Sequence, residues 1–392
     1  MRILAVTQKL PSPVHDGYNL RMAAYLPRLA QRHEVALAAI DRGSIAPDLE
    51  RQLALVVRLP ERDAPRHGVV HRALSAFSPD ELYDRDPRVD AELARLCERF
   101  KPDLVWSVGW RMLPHALSLR GAPIVADAID EAVREAWIEL RAGPSARRFI
   151  HLVRVLRFER RHFPRARRVL FVSDQDAQVT SRVAPRSRCA VTPNGVDIEH
   201  YRPEPVEETP DLLVFEGALV HPPNVAGVRY FVAEVLPKIR AQRPRARLLV
   251  VGRDPPPDLL ELARPDPQTS GVEFTGFVDD VRPHVRRASV FVSPLIGGAG
   301  LKNKVLQAWA LGKPVVATPL SVGGLEARDG EELVVADGAE ALAQACLKLL
   351  GDAPLRARLG AAGRRAAVER FSWESATARL ESELAQALSP SR

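Results

Sequence analysis

Short apolar runs alternate with helix-patterned stretches along this chain, and the alternation stops once and starts again. In the first half strands are predicted at 3–7, 34–40, 104–107, 123–126, 168–172 and 189–192, with helical stretches such as 20–32 and 89–100 between them. The order strand, helix, strand requires parallel neighbours joined by crossovers, which is the doubly wound α/β sheet. Turn residues Thr192-Pro193-Asn194-Gly195-Val196-Asp197 close this half, and a Pro- and Glu-rich piece at 202–210 reads as a linker. From Asp211 the pattern resumes, with strands expected at 212–215, 247–251, 272–275, 290–292, 314–317 and 332–335. Helices are expected at 225–243, 279–287, 301–311, 339–350 and 354–370, and Ser372 is placed to cap a last one. A chain of 392 residues suits two cores of about 190 residues each. The expected division is a Rossmann-like domain at 1–197, a second at 198–370, and a terminal helix at 371–392 that packs back on the first. In such a pair the ligand is expected in the cleft, at the carboxyl ends of the strands.

The most informative loop runs from Ser293 to Gln307, Ser-Pro-Leu-Ile-Gly-Gly-Ala-Gly-Leu-Lys-Asn-Lys-Val-Leu-Gln. Gly297, Gly298 and Gly300 let the backbone approach a ligand closely, and a helix is predicted to start at Leu301. Free N–H groups and the positive dipole end would then face the loop, the arrangement that holds phosphate in α/β proteins. Lys302 and Lys304 fall in the predicted first turn, where the dipole disfavours cations, so a bound anion gives them a reason. Only seven of the 56 basic residues are lysine, and Lys302, Lys304 and Lys313 are three of them. Solvated lysines on a surface helix are the plain alternative.

A hydrophobic content of 46% with 27% charged residues excludes a disordered chain, and no apolar run approaches the ~20 residues that cross a bilayer. Three separated cysteines, Cys97, Cys189 and Cys346, fit a reducing compartment, and the expected location is cytoplasmic. The net charge of +7 is concentrated: Arg141 to Arg168 holds ten arginines against one acid, Glu159. With large apolar residues interleaved, this stretch reads either as a helix lying on an anionic membrane or as a domain helix with arginines in water. Zinc spacing, ribonucleoprotein motifs and a basic tail are missing, so no nucleic acid is expected as a partner.

Several strand-end loops carry candidate chemistry. Gly217, Arg253 and Phe277 follow three strands of the second half, with Arg253 suited to a phosphate and Phe277 to stacking on a base. Gln307 lies three residues beyond Lys304 on the same helix face and suits a ribose hydroxyl. In the first half His15 and Gly17 sit beside a helix start, and Trp106 and Trp110 are candidates for a sugar or lipid platform. Asp127, Asp130 and Glu131 read as an acid/base group or as helix caps, and His115 as a structural or acceptor-side histidine. Asp174-Gln175-Asp176 imitates a metal-binding Asp-x-Asp but stands at a helix start behind Ser173, so no metal is expected.

Taken together, 191–197, 251–253, 274–281, 300–308 and 311–318 resemble the nucleotide-sugar glycosyltransferases with two Rossmann domains, the GT-B fold, in the large retaining family 4. The opening stretch 11–35 is similar to the branch linked to exopolysaccharide and exosortase-associated sugar transferases, and Phe371-Ser372-Trp373 resembles the family's last helix. The resemblance implies transfer of a sugar from a nucleoside diphosphate sugar to a hydroxyl acceptor, with retention and without a cofactor or metal. It implies a donor site at Gly217, Arg253, Phe277, Gly298, Ala299, Gly300, Leu301 and Gln307, catalytic roles for Lys304, Lys302 and Asp127, and an acceptor side at His15, Gly17, Trp106, Trp110 and His115. The family's Glu-x7-Glu pair falls on Ala299 and Gln307, and its diphosphate-gripping Arg/Lys pair on Ala218 and the region of Asn224. Those departures keep open a non-catalytic nucleotide-binding partner of a polysaccharide assembly complex. A nicotinamide-dependent oxidoreductase lacks the Gly-x-Gly-x-x-Gly after the first strand.

Overall fold

The computed structural model describes residues 1–14, 16–40, 42–61, 86–263, 270–298 and 301–389. The chain divides into two units, Met1–Pro193 with Ala376–Arg392, and Asn194–Ser375.

The first unit is built on seven parallel strands: β1 (Arg2–Thr7), β2 (Glu34–Ile40), β3 (Leu55–Leu59), β4 (Leu104–Val108), β5 (Ile124–Ile129), β6 (Arg168–Phe171) and β7 (Cys189–Val191). Their order in the sheet is β3-β2-β1-β4-β5-β6-β7, with β1 pairing β2 on one side and β4 on the other. Strand β3 was not anticipated. It is a sheet-edge strand whose side chains are mostly half-buried and include Arg58, so it lacks the apolar run that marks the others. The closing helix, Trp373–Leu388, is capped by Ser372, whose Oγ accepts from the Ser375 N–H at 3.1 Å. Its residues Ala376, Leu380, Leu384 and Ala387 are buried at helical spacing. Glu381 accepts from Arg32 at 2.8 Å and Glu383 pairs with Arg168, which fastens the helix within this unit.

The second unit holds six parallel strands: β8 (Thr209–Glu216), β9 (Arg247–Val251), β10 (Val272–Phe274), β11 (Ala288–Ser293), β12 (Val315–Ala317) and β13 (Val334–Val335), in the order β10-β9-β8-β11-β12-β13. Both faces are covered. Leu213 and Phe215 of β8 join one core with Leu248 and Val250, while Leu212 and Val214 join another with Leu249 and Val251. Burial on both faces is why these strands read as unbroken apolar runs. Full burial of each such side chain is worth about 1.5–3 kcal/mol.

Three local features position the site. The helix after β8 runs from Pro222 to Gln242 and widens to π-type hydrogen bonding at Phe231–Val235, just before Pro237, which has no N–H to give. Helix Ala353–Arg370 lies against helix Asn303–Ala310 at the closest approach glycine permits: a Cβ on Gly363 would stand 2.5 Å from Trp309 Cδ1. Trp309 is fully buried in that contact. The segment expected to be a linker is instead pinned: Arg286 donates to Glu204 at 2.6 Å and to the Arg202 carbonyl at 2.8 Å, and Glu208 accepts from Ser289 at 3.1 Å.

Candidate active site

In the second sheet the chain leaves β8 towards β9 and β10, then returns on the other side with β11. At such a switch point the loops leaving neighbouring strands turn opposite ways and leave a crevice at the carboxyl ends. Glu216 ends β8 with Gly217 directly after it, and the glycine loop follows β11. Hydrogen bonds from Gly217 N to Val251 O at 2.9 Å and from Leu219 N to Arg253 O at 3.0 Å lash the β8 and β9 loops together. A bridge between Gly252 and Gly276 adds the β10 loop.

Lys304 lies at the centre. The helix starts at Asn303 rather than Leu301, with Lys302 at its N-cap position and Lys304 in the first turn. Leu301 packs its side chain against the core beneath instead of opening the helix. The Lys304 ammonium donates to Asn224 Oδ1 at 2.8 Å and sits 4.2 Å from the centre of the Phe215 ring. Asn224 is fixed in turn by donating to the Ala218 carbonyl at 2.8 Å. Asn224 therefore orients the lysine and does not cap its own helix, whose cap position is His221. Gly217 makes the room: a Cβ there would lie 2.5 Å from Lys304 Nζ and 2.9 Å from Asn224 Nδ2.

The electrostatics follow from this packing. Burial pushes the Lys304 ammonium down to about 8, with Glu216 pulling it up and Lys302 pushing it further down. Burial raises the Glu216 carboxyl and Lys304 draws it back. A half-buried cation with one hydrogen-bond acceptor and an acid that is not in contact with it has donors left for an anion. Lys302 stands on the same loop, its Nζ 3.8 Å from where a Gly298 Cβ would be. Gly298 has a φ of 97°, which the chain needs to turn against Pro223.

Gln307 donates its amide to the Tyr201 hydroxyl at 3.0 Å. Burial pushes that phenol up to about 12, so it stays a neutral hydroxyl across the physiological range. Phe277 is 71% exposed on the β10 loop, and Arg253 is half-exposed with Asp254 3.8 Å away. Ala299 and Gly300 lie outside the described residues, as does His15.

The first unit corrects several expectations. Asp127 is fully buried and is not a catalytic group: Arg21 Nε and Nη2 bind its two oxygens at 3.0 and 3.2 Å, and the Trp106 indole N–H donates to it at 3.3 Å. Arg21 also donates to the Thr192 carbonyl at 2.9 Å and the Thr192 hydroxyl at 2.7 Å. Trp106 is 0% exposed, so it is core and no sugar platform. Trp110 is half-buried and packs edge-on against Phe158 with ring centres 5.3 Å apart, under the Arg111 guanidinium. His115 is buried and shares a 2.8 Å hydrogen bond with Asp90 through Nδ1, which holds the ring in place. Gly17 is exposed at the start of helix Gly17–Ala30, capped by Asp16. Glu131 caps helix Ala132–Ala142, and Ser173 caps the helix carrying Asp174 and Asp176.

Three residues of the site escaped the reading of the sequence: Glu216, Tyr201 and the orienting role of Asn224. Glu216 had a signal, an acid at the carboxyl end of a central buried strand directly before a glycine. Tyr201 had none, because it comes from the irregular segment before β8.

Comparison with known proteins agrees with this architecture. Residues 16–195 match the model of a glycosyl transferase 4-like domain, and residues 210–352 that of glycosyl transferases group 1. A phosphatidyl-myo-inositol mannosyltransferase of Mycobacterium leprae is 33% identical over 189 residues, 46% of this chain and 49% of that protein. The chain spans about half the length of the curated relatives it matches. The fold of a sucrose-phosphate synthase from Thermosynechococcus elongatus superposes with a TM-score of 0.72 at 18% identity, covering 98% of this chain and 99% of that one. Anabaena HepE in complex with UDP-glucose superposes with a TM-score of 0.68 at 16% identity, over 98% of this chain and 99% of that one. The two family models match the two halves of the chain separately, and the superposed structures share its fold of two parallel α/β sheets.

Proposed function

We propose that this chain transfers a sugar from a nucleoside diphosphate sugar to a hydroxyl acceptor, with retention at the anomeric carbon and without a metal. The reading rests on Lys304, a half-buried ammonium held by a neutral amide at the switch-point crevice of the second sheet. In the reaction the acceptor oxygen bonds to the anomeric carbon while the bond from that carbon to the donor phosphate breaks. The electron pair goes to the phosphate oxygen, which finally takes the acceptor proton. Negative charge grows on the leaving diphosphate, and a preoriented ammonium in a poorly hydrated site stabilises it most at that moment. Lys302 and the N–H groups at the helix start add to the same field. Gln307 and Tyr201 supply amide and hydroxyl groups suited to a ribose, and the exposed Phe277 ring suits a base. The HepE complex with UDP-glucose supports a nucleotide-sugar donor, and the mannosyltransferase's name supports a lipid-linked acceptor.

The test is a panel of nucleoside diphosphate sugars with parent and Lys304→Met protein, in buffer containing EDTA. Donor-dependent product with the donor's anomeric configuration, seen by NMR and lost in the variant, is the expected result. Nucleotide binding with neither transfer nor donor hydrolysis would replace the enzyme by a non-catalytic nucleotide-binding partner, and loss of turnover in EDTA would remove the metal-free route.

The acceptor reading extends to a peripheral contact with an anionic membrane through 141–168. Trp137 and Phe149 are 47% and 56% exposed on the helices Ala132–Ala142 and Ala146–His162, with Arg141, Arg147 and Arg148 exposed beside them. Aromatic rings and guanidinium groups together suit the headgroup layer. Sedimentation with phosphatidylglycerol vesicles, lost on Trp137→Ala with Phe149→Ala, is expected; equal sedimentation of the variant would end this part of the reading.

A further inference from the structure

We infer that Thr318 and Ser321 are positioning residues for the donor, their buried hydroxyls holding the entrance of the glycine loop against the helix that carries Asn224. The inference rests on the sugar-transfer reading above and adds side chains that act on the donor site through the backbone. Two prolines create the need for them. Parallel pairing of β11 with β12 ends at Ser293 opposite Ala317. Pro294 follows at once on one strand and Pro319 two residues on along the other. Neither has an N–H with which to continue the ladder.

Hydroxyls take over where the ladder stops. Thr318 Oγ1 donates to the Leu295 carbonyl at 2.7 Å, and Ser321 Oγ accepts from the Leu295 N–H at 3.3 Å. Both backbone groups of Leu295 are thereby taken by side chains of one turn. Ser321 Oγ also donates to the Ser293 carbonyl at 2.6 Å, which accepts the Thr318 N–H at 3.1 Å. The two hydroxyl oxygens lie 2.9 Å apart. Both side chains are buried, so water is no ready substitute if either hydroxyl is removed.

Leu295 is the point through which this grip reaches the site. It is buried, whereas Ile296 after it is 56% exposed and a Cβ on Gly297 would meet nothing within 4 Å. On its other side Leu295 rests on the helix that begins at Pro222. A Cβ on Gly227 would lie 3.1 Å from Leu295 Cδ2 and 3.1 Å from the Pro294 carbonyl oxygen. Gly298 meets the same helix about one turn earlier, where its Cβ would stand 3.0 Å from Pro223 Cγ. Asn224 lies between these two contacts and orients the Lys304 ammonium. The hydroxyls thus set where the glycine loop runs relative to the amide that aims the lysine. Loop N–H groups and ammonium serve one diphosphate only if that spacing is kept, because preorganised donors lose their effect when displaced.

The test compares two substitutions at one position of the full chain, Thr318→Val, which keeps the shape and loses the hydroxyl, and Thr318→Ser, which does the reverse. Kinetics are measured with the nucleoside diphosphate sugar that the parent protein turns over, well below the melting temperature of every variant. Thr318→Val is expected to lower donor kcat/KM by about tenfold or more, and Thr318→Ser to stay within about threefold of the parent. Acceptor KM should be unchanged in both. A merely structural role would lower the melting temperature without separating donor from acceptor kinetics. Should Thr318→Val fail to fold, Ser321→Ala gives the same comparison, since it frees the Leu295 N–H and leaves the Thr318 bonds in place. Parent-like donor kcat/KM without the hydroxyl, or an equal loss in Thr318→Ser, overturns the inference while leaving sugar transfer intact. A parent protein that transfers no sugar from any donor overturns the transfer reading and this inference with it.

Discussion

The two sheets have the same winding, yet their switch points are treated in opposite ways. Between β1 and β4 the crevice is filled from within: the Tyr18 hydroxyl accepts from the Gln8 N–H at 2.7 Å and donates to the Val108 carbonyl at 3.3 Å. Beside it the Arg21 guanidinium is closed in by both oxygens of Asp127 and by Thr192, with no exposed surface. Between β8 and β11 the cation is a lysine, its acceptor a neutral amide, and its nearest acid too distant for an ion pair. A cation that serves the fold is matched by a carboxylate, because an unmatched buried charge is costly. Lys304 is held in place by groups that do not neutralise it, as the proposed ligand role requires.

That contrast can be broken from either side. Asp127→Ala strands a buried guanidinium, and a loss of about 3–5 kcal/mol in chemical denaturation is expected. A stable Asp127→Ala protein with failed turnover would reverse the two roles. Lys304→Met should do the opposite, lowering transfer by about 10²–10³-fold with little change in melting temperature. Gly217→Ala drives a methyl group into Lys304 and Asn224, and a displaced ammonium is expected to lower kcat/KM for the donor by up to about 10²-fold. The finest test is pH. The free-enzyme ammonium is lost as pH rises through about 8, so donor kcat/KM should fall above that point. Glu216→Gln removes the charge that pulls Lys304 upward, and the alkaline limb should move to lower pH. A limb that stays in place would show that Glu216 does not act on the lysine. The same depressed value means that this group adds stability as pH climbs from about 8 towards 10.5, since the unfolded chain keeps its proton longer.

Much of the fold was legible because its strands are buried on both faces. Strands β2 and β9 were expected at the residues where they occur, since 34–40 and 247–251 have an apolar interior and clear flanking residues. Strand β3 escaped because a half-buried edge needs no such run. The glycine loop after β11 drew notice for a different reason: glycines and lysines together make poor helix openings, so their clustering demanded an explanation. Trp106 and Asp127 show the limit. An indole and a carboxylate at strand ends look the same in sequence whether they face a substrate or each other, and only the buried Arg21, 106 positions from Asp127, decides it. Lys304 was found from its own position, whereas Glu216, Asn224 and Tyr201 matter through distances that no local pattern encodes.

The contact of Gly363 with Trp309 gives the lysine a mechanical dependence that sequence proximity would never suggest. Helix Asn303–Ala310 carries Lys304 at one end and rests on that indole near the other, so the bare backbone of the neighbouring helix sets how deeply the ammonium sits. An added methyl at 363 acts like a shim under a short rigid rod, tilting its far tip. Natural or engineered variation at this buried, chemically silent position would then be felt as altered grip on the donor.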